Sequence, residues 1–241
     1  MGVIVNGFDF DQFGISHNKY LDYVRSNPDF LISTPEESYN YGQNYVDEYF
    51  GALSDISYAE FLEQRDTLVD YDVFTASYPS RRLMAAKKMT QSFAVFYDTF
   101  AAACRKVISD SLSPMQYDTL INAIEKWVLG NHNISYDTTT GISNEGAAML
   151  EMCAIARYSY DYWYNNIEEW PAGRELTTMS GPGKWFRRIV SAIKRTVADV
   201  GGYLDVIDYC NGHNIYGGLC WDHGLAWQSA ITESNKSGST Q

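Results

Sequence analysis

Basic residues are scarce in this sequence. Lys and Arg together number 18 against 30 Asp and Glu, which gives a formal net charge of −12 at pH 7. Affinity for nucleic acid comes largely from Lys and Arg displacing counterions from phosphates, so this balance excludes a phosphate-tracking role and disfavours anionic membrane surfaces. Long apolar runs are missing too: no stretch of about 18 apolar residues occurs, and no transmembrane helix is expected. Cysteine is limited to four residues in 241. A chain of this length builds its core without disulfides, so that number is silent on redox compartment. Nucleotide motifs are lacking as well. Gly181-Pro182-Gly183-Lys184 has no four-residue spacer, and Trp185 stands where a phosphate loop needs Ser or Thr. Neither an internal repeat nor a low-complexity linker divides the chain, which reads as one helical domain over 1–232 with a disordered Ser/Lys/Thr-rich tail over 233–241.

Apolar and aromatic side chains are abundant: 45% of residues are hydrophobic, with 19 Tyr, 11 Phe and 6 Trp. Such a chain folds. Helix starts recur along it. Thr34-Pro35-Glu36-Glu37 and Ser113-Pro114-Met115-Gln116 each place a hydroxyl cap, a proline in the first turn and Glu or Gln three residues on; Ser57 with Glu60 is a third capping box. Ser16 reads as the cap of a short helix through Val24. Helical stripes run through Phe93, Phe96, Tyr97, Phe100, Cys104 and Val107 on a helix over 81–110. They recur from Tyr117 to Val128 with Gly130 as a left-handed stop, from Met149 to Trp163, and from Trp185 to Ile207. Segments 130–143 and 171–183 read as loops. Convincing alternating runs are absent, so the expected fold is an all-α, single-domain multi-helix bundle with a short amino-terminal strand near Val3 to Val5.

One segment has metal-ligand chemistry. CNGHNIYGGLCWDH, 210–223, pairs Cys210 with His213 and Cys220 with His223 at Cys-x-x-His spacing. One turn brings such a pair to one zinc ion, but the insert between the pairs is shorter than a zinc finger's. A Cys210–Cys220 disulfide and a plain Gly-rich loop with reduced cysteines are the competing readings, and the loop is favoured, with no cofactor expected. Cys104 and Cys153 sit on apolar stripes, where a thiol is an inert small hydrophobe. His17, His132 and His213 each precede Asn and read as capping or solvent-facing residues. Glu168-Glu169, and Asp66 with Asp70, read as solvated helix faces. The basic cluster Lys184, Arg187, Arg188, Lys194 and Arg195 is expected to pair with acidic helices nearby. Tyr160, Trp163 and Tyr164 share one helical face, whereas Tyr158 and Tyr162 lie on another. Tyr158, Tyr162 and Trp170 are therefore the candidate residues of an aromatic groove for a protein, peptide or glycan.

Three patches carry a resemblance. FGISHNKYLDYV, 13–24, resembles a Gly-x-x-His-Asn-x-x-Leu-Asp-Tyr pattern near the amino terminus of uncharacterised, commonly exported proteins of Bacteroides and related bacteria. ARYSYDYW, 156–163, and WFRRIVSAIKRTVADVGGYL, 185–204, are similar to their Ser-x-x-Tyr-Trp and Trp-basic-Asp-x-x-Gly segments. The resemblance implies a bacterial envelope or secreted setting and no particular activity. Residues 1–12 do not have the basic-then-apolar pattern of a signal peptide, so that setting presumes an export signal cut away before Met1-Gly2. The leading expectation is a non-enzymatic binding protein of that milieu. The alternatives are a metal-dependent hydrolase or metal-stabilised module centred on 210–223, and a structural assembly subunit.

Overall fold

The computed structural model describes residues 2–26, 90–138, 142–170 and 173–213, with side chains as far as Gly201, and isolated positions between 36 and 59. The capping boxes at Thr34 and Ser57, Asp66 with Asp70, and the tail 233–241 lie outside the contiguous described residues.

The amino-terminal strand is one arm of a hairpin, β1 (Ile4–Val5) against β2 (Phe8–Asp9), with Ile4 opposite Asp9 and Val5 opposite Phe8. Asn6 and Gly7 turn it with φ of 51° and 83°, the left-handed pair that an Asn-Gly hairpin turn requires. Asp9 Oδ1 then accepts from the Asp11 N–H at 3.1 Å, and α1 runs Asp11–Arg25. The helix thus starts five residues before Ser16, because an orphan N–H at its start is met from the hairpin rather than by a hydroxyl cap.

Helix α2 covers Gln91–Asp110, capped by Thr90, whose hydroxyl accepts from Phe93 N at 3.0 Å, and it ends on Ser111 in the left-handed region (φ 54°). The Ser/Thr signal at Thr90 caps the helix, and the expected portion over 81–89 lies outside the described residues. Helix α3, Pro114–Asn131, begins on the expected capping box: Gln116 Oε1 accepts from Ser113 N at 2.9 Å. Gly130 does not stop it; the helix passes through Asn131 and closes on extended His132. The expected loop after it contains a second hairpin, β3 (Tyr136–Asp137) against β4 (Ile142–Ser143). Asn144 then caps α4, Glu145–Asn166, by accepting from Ala147 N at 3.0 Å. A 3-10 turn, Ile167–Glu169, and the short α5, Arg174–Thr177, lead to α6, Gly181–His213. Gly181-Pro182-Gly183 opens α6 instead of forming a loop, with proline in the first turn where its missing N–H costs nothing.

Among the described residues the architecture is the expected all-α bundle, with α4 at its centre and α6, α1 and α3 packed around it. The sequence of α4 allows this. Ala147, Ala148, Ala154 and Ala156 are buried between Met149, Leu150, Met152, Cys153 and Ile155, so neighbours approach from several sides. Gly14 brings α1 closest: a Cβ there would fall 2.5 Å from Ala154 O and 2.4 Å from Tyr158 Cδ2. No helix among the described residues is long and apolar enough to cross a membrane.

Candidate functional site

The carboxy-terminal half of α4 sends its aromatic side chains to opposite fates. Tyr160 is buried against Tyr117, with ring centroids 4.7 Å apart, and its hydroxyl donates to Leu112 O at 2.9 Å. Trp163 is buried too, and stacks at a tilt on Trp170 with centroids 4.8 Å apart. Tyr162 is only 5% exposed and packs edge-on against Trp163, with the Arg25 guanidinium 5.8 Å from its ring centre. Trp170 is 1% exposed. An open groove built from Tyr158, Tyr162 and Trp170 is therefore corrected: Tyr162 and Trp170 fill the core. The 3-10 turn folds the chain back over α4, a reversal that helical periodicity does not encode.

Tyr158 is the exception. Half-buried on α4, it lines a surface depression of ≈ 310 Å³ with Arg157 and Asp161 from the same helix and Pro114, Met115 and Asp118 from the first turns of α3. Each helix contributes residues at i, i+1 and i+4, with Met115 and Asp161 exposed and the other four partly buried. The Ser113–Gln116 capping box sets where α3 begins, and so where Met115 and Asp118 stand. Met115 is 81% exposed at the rim.

Arg157 forms the floor. Its Nη1 lies 3.1 Å from Asp11 Oδ1, and its Nη2 contacts Glu125 Oε2 and donates to Asn122 Oδ1 at 3.0 Å. Its Nε is 2.6 Å from Asp118 Oδ1 as an ion pair without hydrogen-bond alignment. Asn122 Nδ2 in turn donates to Asp118 Oδ2 at 3.0 Å. Burial alone would lower the guanidinium's pKa, but the charges of Glu125, Asp118 and Asp11 outweigh it and raise it. Burial raises the Glu125 carboxyl, against the pull of Arg157. The Tyr158 hydroxyl donates to Asp11 Oδ2 at 3.2 Å; burial, helped by the Asp11 charge, pushes it up to about 12. Arg157 is thus a neutralised cation beneath a negatively charged rim. Residues Asp11, Asp118, Asn122, Glu125 and Arg157 carried no sequence motif; spacing marks only that Asp118, Asn122 and Glu125 share a face of α3.

A second polar cluster lies wholly inside. Asp199 Oδ2 on α6 accepts from Trp163 Nε1 at 2.9 Å and from the Ser159 hydroxyl, and stands 3.3 Å from His17 Nε2. Ser159 Oγ also reaches Thr196 Oγ1 at 3.3 Å. Arg195 lies over the Trp163 ring at 5.3 Å, and burial, opposed by Asp199, lowers its guanidinium to about 10. Ser, His and Asp are the residue types of a hydrolytic triad, but a triad places His between Ser and Asp. Here Asp199 is in the middle and all three are buried to 0% exposure. The cluster fastens α1, α4 and α6 together. It also corrects the expectation for His17, which is neither a cap nor solvent-facing; it shares the buried stripe of Phe13, Tyr20, Leu21 and Val24. His17, Ser159, Trp163 and Asp199, far apart in sequence, are brought to one place by the fold.

The remaining candidates resolve simply. Lys184 and Arg188 both pair with Glu168, Arg187 lies 3.7 Å from Glu175, and Glu169 accepts from Arg25 at 2.7 Å. Lys184, Arg187 and Arg188 therefore pair with acidic neighbours as expected, whereas Arg195 is buried, and Glu168 and Glu169, expected on a solvated helix face, are ion-pair partners on a 3-10 turn. Cys104 and Cys153 are free and buried, and burial pushes the Cys104 thiol up to about 12. His132 Nε2 is 3.1 Å from Ser92 Oγ, with its ring edge-on to Trp127. The α6 backbone continues through Cys210 to His213, so the first Cys-x-x-His is one helical turn rather than a loop. The side chains of Cys210 and His213, and all of Cys220 and His223, lie outside the described residues. Among the described residues no group of three or more His, Cys, Asp and Glu is placed to hold a metal ion.

Comparison with known proteins adds no further constraint: no family model, no curated protein and no solved structure matches the chain.

Proposed function

We propose that this chain is a non-enzymatic helical binding protein that takes a protein or peptide segment at the α3–α4 depression beside Tyr158. The observation that carries the reading is the depression itself. Two rigid, capped helices hold an aromatic ring, an exposed methionine and carboxylates around one concavity, the mixture of apolar wall and few polar groups typical of a recognition site. Met115 supports it further, since an 81% exposed methionine is an adaptable contact and has no packing role. The resemblance carried by 13–24, 156–163 and 185–204 supports a bacterial envelope or secreted setting for the interaction.

A photo-crosslinking residue placed at Met115 is expected to trap a discrete partner in the native host, whereas the same residue at Leu129, exposed elsewhere on α3, traps none. Equal trapping at the two positions, or none at Met115, would sink the reading.

A further inference from the structure

We infer that the occupant of the α3–α4 depression is the cationic head of a Lys or Arg side chain presented by a basic partner segment. This rests on the binding reading above and adds the chemistry of what is bound.

Charge is the first argument. Asp118 and Asp161 stand in the lining, and the lone guanidinium there, Arg157, is already held by Asp11, Asp118 and Glu125. Two lining carboxylates, Asp118 and Asp161, stand against one guanidinium that buried Asp11 and Glu125 already hold from behind, which leaves the concavity negative. An anionic head group would meet Asp161, whose carboxylate accepts from the Asn165 amide at 3.1 Å and has no ion-pair partner among the described residues. An added cation would meet a carboxylate whose charge is unspent.

Shape and surface chemistry select the kind of cation. A metal ion needs converging donors, and among the described residues no group of three or more His, Cys, Asp and Glu is placed to hold one; Asp11, Asp118 and Glu125 pair with Arg157 instead. A long side chain fits better. Tyr158 supplies an aromatic ring to the lining, a group that attracts cations, and Pro114 and Met115 supply apolar surface for the methylene stem. A volume of ≈ 310 Å³ is at the small end of ligand sites, roughly 300–1,000 Å³, which suits one anchoring side chain better than a whole folded segment. The net charge of −12 would draw a basic partner in from solution.

The test uses the full chain and three short peptides of one sequence: one with a central Lys, one with Arg, and one with the neutral Nε-acetyl-lysine. Binding is read from the Met115 methyl resonance and by calorimetry. The Lys and Arg peptides are expected to shift that resonance and to weaken as salt is raised. The acetylated peptide should bind roughly three- to tenfold more weakly, the range of a partly exposed cation–π and ion-pair contact. Asp161→Asn, at an exposed position that leaves the Arg157 cluster untouched, should reduce affinity for the charged peptides and not for the acetylated one. Equal binding of charged and acetylated peptides, or an Asp161→Asn variant indistinguishable from the parent, would overturn the cation assignment and leave the binding reading intact. No shift at Met115 with any of the three would overturn both.

Discussion

At the scale of single residues, the buried charge of Asp199 has the most to lose. Its carboxylate gathers Ser159, Trp163 and His17 from two other helices at 0% exposure. Truncation would strand donors on all of them and remove the countercharge of buried Arg195, so Asp199→Ala is expected to cost about 3–5 kcal/mol in urea denaturation. Glu168 supplies the pH prediction. The hydrogen bond from Lys184, with Arg188 beside it, lowers its carboxyl pKa below the ordinary value of 4.5. A carboxylate stabilised in the fold contributes stability above its unfolded pKa and loses it as pH falls through the folded one. The urea midpoint of Glu168→Gln should therefore lie below the parent's at neutral pH and converge with it in acid, well under 4.5. A constant gap across that window would assign the effect to packing.

At the scale of elements, two contacts decide how the helices meet. Gly14 lets α1 lie against α4, since a Cβ would press on the Ala154 carbonyl oxygen as well as on the Tyr158 ring. Gly→Ala in a helix ordinarily gains roughly 1 kcal/mol of propensity. Here overpacking of about 1–3 kcal/mol should reverse the sign, so Gly14→Ala is expected to lower the melting temperature. The start of α3 makes the opposite case. Ser113→Ala removes a hydroxyl cap and half of a reciprocal box, at a cost of about 1 kcal/mol by thermal denaturation. Because that cap sets the first turn carrying Met115 and Asp118, the same variant should weaken capture of the Lys peptide by more than its effect on stability explains.

At the scale of the whole molecule, one central helix serves two purposes from adjacent residues. Arg157 and Tyr158 reach the surface depression, while Ser159 and Trp163 enter the interior cluster. Position along α4 turns by about 100° per residue, so neighbours in sequence face different partners. The proposed binding surface therefore stands on the most densely supported element of the bundle. It should change little on binding: peptide-saturated and free protein are expected to show amide exchange differences confined to the first turn of α3 and to 157–161. Protection spread over α1 and α6 would mean that binding remodels the core.

Much of the bundle was local information. The stripes on α2, α3, α4 and α6 and the Ser113 box are readable because a helix repeats every 3.6 residues and its cap is a neighbour in sequence. The Asn-Gly turn and the Thr90 cap were equally local signals, and Gly181-Pro182-Gly183 opens a helix because proline suits a first turn. The candidate site was legible only in Tyr158. Its partners come from residues some 40 positions upstream on α3, with Asp11 further still, and no spacing rule links them. Burial of Tyr162 and Trp170, and the meeting of His17 with Ser159 and Asp199, were decided when α1 and α6 closed on α4 and the 3-10 turn folded back. The chain alone determined which faces are apolar and, at Ser113, where a helix begins. Tertiary packing decided which polar groups are enclosed together and which aromatic stays at the surface, because only packing fixes which residues become neighbours across helices.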